Sequence, residues 1–261
     1  MVTIAIPTYK TDFLAEAIAS ALSQTYDDIE VIIVDDTSPN DVQGIVGRFS
    51  DSRLSYYRNE HNLGKDDPSR NWNECLKYAK GDFICLLCDD DIYHEDFVAE
   101  LVSLQNRHPE CNAFRCGVKE INGEGETTEY YPLAPEHLCI EEYIWHLHSR
   151  NNRQTMSEWM LRTSALRNMN GYVSSPMAWG ADCATIFCIG SNGGIVSSAR
   201  RLMSFRRTDK NITGRTFSYN QKKLIGWRQQ CHVATEIVNA GSHPDKKMII
   251  RTIEKDMRNE T

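Results

Sequence analysis

The chain reads as an α/β fold. It has a mostly parallel central sheet flanked by helices, then a smaller mixed-sheet part and C-terminal helices. Three observations predict this. Short runs that are apolar at nearly every position alternate with amphipathic stretches through the first half, as strands buried on both faces alternate with helices. Two of these runs end in carboxylates, and open α/β sheets bind ligands at the carboxyl ends of their strands. The second half breaks the rhythm and carries hairpin and long-helix patterns instead.

The elements follow in order. Val2–Ile6 is apolar and β-rich. Asp12–Gln24 is helical, with Phe13, Leu14, Ala17, Ile18, Ala21 and Leu22 on one face and Thr11 or Asp12 as cap. Glu30–Val34 is a second buried strand, Val42–Phe49 a short helix and Leu54–Arg58 a third strand. Pro68–Lys80 is a helix with proline at its start and Gly81 beyond its end. Phe83–Cys88 is a fourth strand, and Phe97, Leu101 and Leu104 mark a helix over Tyr93–Arg107. Ala113–Ile121 and Thr127–Tyr131 flank the polar turn Asn122–Glu126 and read as a hairpin. Glu136–His148 is helical, Met160–Arg167 and Gly193–Phe205 hold strand candidates, and Thr216–Ala240 and Asp245–Arg258 close the chain as helices. This divides the chain into a half spanning 1–110, a half spanning 111–215 and a helical segment 216–261, all within one domain.

Composition narrows the function. A net charge of −7 argues against nucleic acid as a partner. No 18-residue apolar run is present, and Met1–Pro7 already reads as a strand rather than a signal peptide, so a cytoplasmic protein is expected. The nine cysteines lack framework spacing and read as reduced thiols. Cys85 and Cys88 form C-x-x-C, but residues three apart on a strand face opposite ways. Between Arg200 and Arg228, nine Lys/Arg residues accompany one acid, Asp209. Such a stretch fits a phosphate or an anionic membrane face, and equally a solvated surface.

Three βα turns carry the chemistry. Glu30–Val34 leads into Asp35 and Asp36; Leu54–Arg58 leads into a polar loop with Gly64 and Lys65; Phe83–Cys88 leads into Asp89, Asp90 and Asp91. Three like charges in a row repel and favour a cation, and Mg²⁺ or Mn²⁺ bridges carboxylates to phosphate oxygens. The set suits a nucleotide pocket, with a carboxylate for base or ribose and a cation for the diphosphate. The aspartate run alone also fits an acidic turn capping the next helix. A dehydrogenase is excluded, because no G-x-G-x-x-G follows a strand. A nucleotidyltransferase would carry a glycine-rich loop after the first strand, where Pro7–Thr11 has no glycine.

Several ordered segments resemble family 2 glycosyltransferases of the GT-A fold. They are Ile6-Pro7-Thr8-Tyr9-Lys10, Glu16 to Thr25, Glu30-Val31-Ile32-Ile33-Val34-Asp35-Asp36-Thr37-Ser38, Asn62-Leu63-Gly64, and Ala79 to Ile84 followed by Leu87-Cys88-Asp89-Asp90-Asp91. The resemblance implies inverting transfer of a sugar from a nucleotide diphosphate, most often UDP, to a glycan or lipid-linked acceptor. Pro7, Thr8, Tyr9, Asp35 and Asp36 would bind the base; Lys65 and Arg70 would line the base or diphosphate; Asp89 would approach the ribose. Asp90 would ligate Mn²⁺ or Mg²⁺, with Asp91 completing the metal cluster. Cys88 departs from the family's first aspartate.

Gly171-Tyr172-Val173 and Ala178 to Thr185 resemble the segment in which the family presents its catalytic base. Asp182 is the only carboxylate between Glu158 and Asp209 and is assigned as base; an N-cap for a helix Cys183–Ile189 is the competing role. Trp179 would floor the acceptor sugar. Phe205 to Thr213 resembles a late family segment, in which Arg206 or Arg207 would clamp the diphosphate. A basic 200–228 stretch would then favour contact with a membrane face. An inactive, nucleotide-binding relative is the remaining alternative.

Overall fold

The computed structural model describes residues 1–209, 211 and 221–259. Its centre is a single sheet. Strands β1 (Val2–Thr8), β2 (Ile29–Asp35), β3 (Leu54–Arg58) and β4 (Phe83–Leu86) pair in parallel in the order β3-β2-β1-β4. Their side chains sort by period 2. Ile4, Ile6, Val31 and Ile33 face one core, whereas Ala5, Ile32 and Val34 face the other. Both faces are therefore apolar, which explains the unbroken hydrophobic runs.

Helices α1 (Leu14–Leu22), α2 (Val42–Val46) and α4 (Phe97–Arg107) cover the first face. Helix α3 (Ser69–Tyr78) covers the second through Cys75 and Leu76. The C-terminal part adds α5 (Ile140–His148), α6 (Thr163–Asn168), α7 (Ala181–Gly190), α8 (Gln221–Ala240) and α9 (Lys246–Asn259) to that same side.

The sheet does not stop at the halfway point. β9 (Trp159–Arg162) runs antiparallel between β4 and β6 (Ala113–Ile121). β10 (Ile195–Arg206) pairs in parallel with β6, and the two-residue β5 (Ile92–Tyr93) closes the edge against β10. Short strands β7 (Thr127–Tyr130) and β8 (His137–Leu138) pair with β6 and β10. Strand β9 thus joins the 1–110 and 111–215 segments through one continuous sheet.

Three expected elements differ. The helix expected from Tyr93 starts at Phe97, because Ile92 and Tyr93 are claimed by β10. The helix expected from Glu136 starts at Ile140, after β8. Met160–Arg167 divides into β9 and α6 at Thr163, whose N–H bonds to the Asp82 carbonyl instead of continuing a ladder. The helix expected from Thr216 is described from Gln221; residues 216–220, with the 215/216 boundary, lie outside the described residues.

Candidate active site

The carboxyl ends of β1, β2 and β4 meet. The Asp36 N–H donates to the Thr8 carbonyl and the Ser38 hydroxyl to the Tyr9 carbonyl at 2.7 Å. Tyr9 and Lys10 donate their N–H groups to one oxygen of Asp89, at 2.9 and 2.7 Å. The turn after β1 is therefore clamped to both acidic turns, and Pro7 and Thr8 lie at its root. Thr8 is fully buried, while Tyr9 is 46% exposed at the mouth.

The two aspartates after β2 do different work. Asp35 is fully buried, with its carboxylate engaged by Tyr56, Arg58 and the Ser38 N–H. It braces the turn and does not face the opening. Asp36 accepts from Asn59 Nδ2 at 2.8 Å, Leu63 N–H at 2.8 Å and Gly64 N–H at 2.7 Å. It thereby folds the loop after β3 against the site. A Cβ on Gly64 would sit 2.8 Å from Asp36 Oδ2 and 3.2 Å from Pro68 Cα, so only glycine allows this approach. Lys65 and Arg70 lie exposed around this loop.

The aspartate row also divides its labour. Asp90 Oδ2 lies 2.5 Å from Lys10 Nζ and accepts from Asn211 Nδ2 at 3.1 Å. Asp89 Oδ1 lies 3.8 Å from the same ammonium. Asp89 and Asp90 thus converge on one cation position. Asp91 does not. Its Oδ1 accepts from Arg206 N–H at 2.9 Å and its Oδ2 from the Ser157 hydroxyl at 2.5 Å, and it is 1% exposed. Expected as part of the metal cluster, Asp91 has both oxygens committed behind it.

Electrostatics follows this geometry. Burial pushes the Asp89 carboxyl up to about 6; Lys10 and the two backbone N–H groups pull down and the Asp90 charge adds to the rise. Burial, with Asp90 beside it, drives Asp91 well above the usual carboxylate range. Burial opposes the Lys10 ammonium, but Asp89 and Asp90 outweigh it and raise its pKa.

Arg206 departs from its expected role. It is 1% exposed, and its side chain donates to the carbonyls of Asp90, Asn122 and Gly123 and to Glu16 Oε2. Its guanidinium lies 4.0 Å from the Phe13 ring centroid. The charge braces the aspartate turn from beneath, leaving no fork to clamp a phosphate. Arg207 is half-exposed and pairs with Glu120 at 3.1 Å. Elsewhere in the basic stretch, Arg200 pairs with Asp96 and Glu100 and Lys222 with Asp66, so the described charges form no single free face. Lys210 and Arg215 of that stretch lie outside the described residues.

Asp182 is reached through the second half. Ser157, which holds Asp91, lies in the one-turn 3-10 helix Met156–Glu158. Its neighbour Glu158 is fully buried, with Oε2 accepting from Thr155 N–H at 2.9 Å and Oε1 2.6 Å from Arg115 Nη2 in an approach not aligned as a hydrogen bond. Burial pushes Glu158 up to about 7 although Arg115 pulls it down, and the Asp182 charge adds to the rise. Asp182 is half-buried in the first turn of α7, with Gln154 beside it; enclosure raises its pKa, while the Cys183 N–H and Gln154 pull it down. Gly180, not Asp182, is the N-cap, with φ +71°. Trp179 is half-buried next to it, with Lys223 Nζ 4.2 Å from its ring.

The sequence reading gave no role to Lys10, Asn211, Ser157 or the Arg115–Glu158 pair. Lys10 was within reach of it, as a cation one residue beyond Tyr9 facing an aspartate row. The others arrive from distant segments and carry no local signal.

An open α/β sheet with clustered carboxylates at its strand ends defines a nucleotide-binding enzyme class. The sequence pattern of Glycosyl transferase family 2 matches residues 3–167, and the chain belongs to that family. It is 37% identical over 94 residues to UDP-Glc:alpha-D-GlcNAc-diphosphoundecaprenol beta-1,3-glucosyltransferase WfgD of Escherichia coli, covering 36% of each chain. It is 27% identical over 168 residues to glycosyltransferase GlyG of Streptococcus pneumoniae, covering 63% of this chain and 53% of that one. The matches thus span about a third to a half of these curated relatives. Among solved structures, S. aureus TarS 1–349 in complex with UDP-GlcNAc superposes with a TM-score of 0.74 at 15% identity, covering 99% of this chain and 72% of that one. At that identity the likeness shows the shared GT-A fold.

Proposed function

We propose that the chain transfers a sugar from a nucleotide diphosphate, most simply UDP, to a hydroxyl of a glycan or lipid-linked saccharide, inverting the anomeric centre. The observation that carries this is the convergence of Asp89 and Asp90 on one cation position beside the Thr8–Lys10 turn. Family membership supports the transfer. The printed activity of the E. coli relative supports the UDP donor and the lipid-linked acceptor.

In this reading, Thr8, Tyr9 and the loop folded by Asp36 frame the base, with Lys65 and Arg70 at its rim. A Mn²⁺ or Mg²⁺ ion fits the carboxylate oxygens of Asp90 and Asp89, which suit hard cations, while Asn211 steadies Asp90 through its amide N–H. That the Lys10 ammonium already sits there supports the fit. When bound, the ion neutralises charge on the leaving diphosphate. Asp182 accepts the proton of the attacking hydroxyl; its raised pKa brings its basicity closer to neutral pH, and such a base contributes about 10²–10⁴-fold. Trp179 floors the acceptor, and Arg207 is the remaining candidate for a phosphate contact from β10. The 1–110 segment would bind donor, 111–215 acceptor and base, and 216–261 would cover the second face. Among the described residues no helix is long and apolar enough to cross a membrane. The basic 200–228 stretch would rest the protein on the cytoplasmic membrane face.

Calorimetric titration with UDP, dTDP and GDP, in Mn²⁺ and then EDTA, tests the donor site. One nucleotide is expected to bind with metal and to lose affinity in Asp90→Ala. Asp182→Asn is expected to keep that binding while turnover falls about 10²–10⁴-fold. Absence of nucleotide binding under every condition overturns the proposal.

A further inference from the structure

We propose that Lys10 is a resident counter-cation of the donor site, which holds the metal position while no donor is bound and yields it by moving onto the incoming diphosphate. The inference rests on the function proposed above and adds a residue and an order of events to it.

Asp89, Asp90 and Asp91 are adjacent, and each is 6% exposed or less. Arg206 lies behind them with its donors spent on carbonyls and on Glu16. Among the described residues, the cation on the open side is Lys10, 2.5 Å from Asp90 Oδ2 and 3.8 Å from Asp89 Oδ1. Those are the two carboxylates with an oxygen directed at the opening. A small cleft lined by Lys10, Asp12, Phe13, Asp89, Asp90 and Thr208 marks the place.

The Lys10 main chain is fixed and its side chain is not. The backbone N–H is anchored to Asp89 Oδ2 at 2.7 Å. The side chain is 36% exposed and ends in an ammonium on a flexible four-carbon stem. A divalent ion and an ammonium cannot share one pair of oxygens without strong repulsion. In the absence of nucleotide the two therefore compete. A diphosphate changes the balance, because it offers the displaced ammonium new anionic oxygens within reach of the same anchor. Metal and nucleotide then bind with positive coupling, and by linkage each raises the affinity of the other by the same factor.

The test is Mn²⁺ binding read from the electron paramagnetic resonance signal of free Mn²⁺, with and without UDP, in wild type, Lys10→Met and Lys10→Arg. Circular dichroism verifies the fold, and Lys10→Gln serves if the methionine variant does not fold. Without UDP, Lys10→Met is expected to bind Mn²⁺ about tenfold tighter than wild type. The factor by which UDP strengthens Mn²⁺ binding is expected to shrink about tenfold, and Lys10→Arg to keep most of it. Unchanged or weaker Mn²⁺ binding in Lys10→Met, with the wild-type UDP effect intact, overturns the role of Lys10 and leaves the donor site standing. A wild type that binds no Mn²⁺–UDP overturns both.

Discussion

Replacing Arg206 by methionine separates a brace from a clamp. The methionine keeps an apolar stem over Phe13 and removes the charge. Three carbonyl oxygens, of Asp90, Asn122 and Gly123, lose donors at 3.0, 3.3 and 3.1 Å. Orphaning the buried Asp90 carbonyl costs about 1–3 kcal/mol, and the part-buried Asn122 and Gly123 carbonyls, which regain water, add less, so about 2–3 kcal/mol covers the three. The buried guanidinium–ring contact with Phe13 adds about 1–2 kcal/mol. Glu16 is half-exposed and regains water, so its ion pair adds little. A loss of about 3–5 kcal/mol is a large share of a typical domain's stability of about 5–15. With a urea slope of about 2–3 kcal/mol per molar, the midpoint is expected to fall by about 1–2 M. The assay is equilibrium urea unfolding followed by circular dichroism, beside UDP titration of the folded variant. Arg207→Met serves as the control, with its one partly exposed ion pair worth about 0–1 kcal/mol. A folded Arg206→Met with a wild-type midpoint but no UDP affinity would rule out the brace and restore the clamp.

Three further outcomes concern the Asp182 side. Glu158 has its folded pKa raised from 4.5 to about 7, so its protonated form favours the fold: that contribution is complete below 4.5 and disappears as pH rises through about 7. At about 1.4 kcal/mol per unit this is worth about 3 kcal/mol, and Glu158→Gln is expected to lose that slope, so that the difference in urea stability between the two proteins carries it. Arg115→Met leaves Glu158 buried and unpaired, costing about 3–5 kcal/mol at pH 8 and less at pH 5; a deficit independent of pH contradicts the pairing. In Gly180→Ala, a Cβ at φ +71° would lie 2.6 Å from Gln230 Oε1 and 3.1 Å from the Gly226 carbonyl. Thermal unfolding is expected to register about 1–3 kcal/mol of strain, and turnover to fall up to about 10²-fold as Asp182 is displaced; wild-type turnover in a destabilised protein would detach α7 from catalysis.

What the sequence disclosed and what it withheld divide along sequence distance. Strands β1, β2 and β4 were legible because each is apolar on both faces; the edge strand Leu54–Arg58 and the mixed-polarity Ala113–Ile121 also have the expected bounds. Strand β5 was not, because two residues display no period and Ile92–Tyr93 becomes a strand only against Ser204 and Met203. The same division runs through the site. The Asp35–Asp36 turn and the aspartate row follow β2 and β4, the two strands that flank β1, and the register of β1 against both brings them together without help from elsewhere. Which aspartate faces the opening is decided by residues far away: Ser157 and Arg206, 66 and 115 positions from Asp91, turn its carboxylate inward. The pattern along β10 holds no clue to this, since Leu202, Met203 and Ser204 are buried in succession and Arg200, of the same parity as the buried Arg206, is exposed. A positive residue buried in the fold must answer for its desolvation with partners, which points to a brace before any clamp. The donor side of a family 2 site is thus written in local segments. The proposed acceptor side depends on α7 and α8 packing together over the second face of the sheet, and there a lone carboxylate such as Asp182 acquires its surroundings only in the fold.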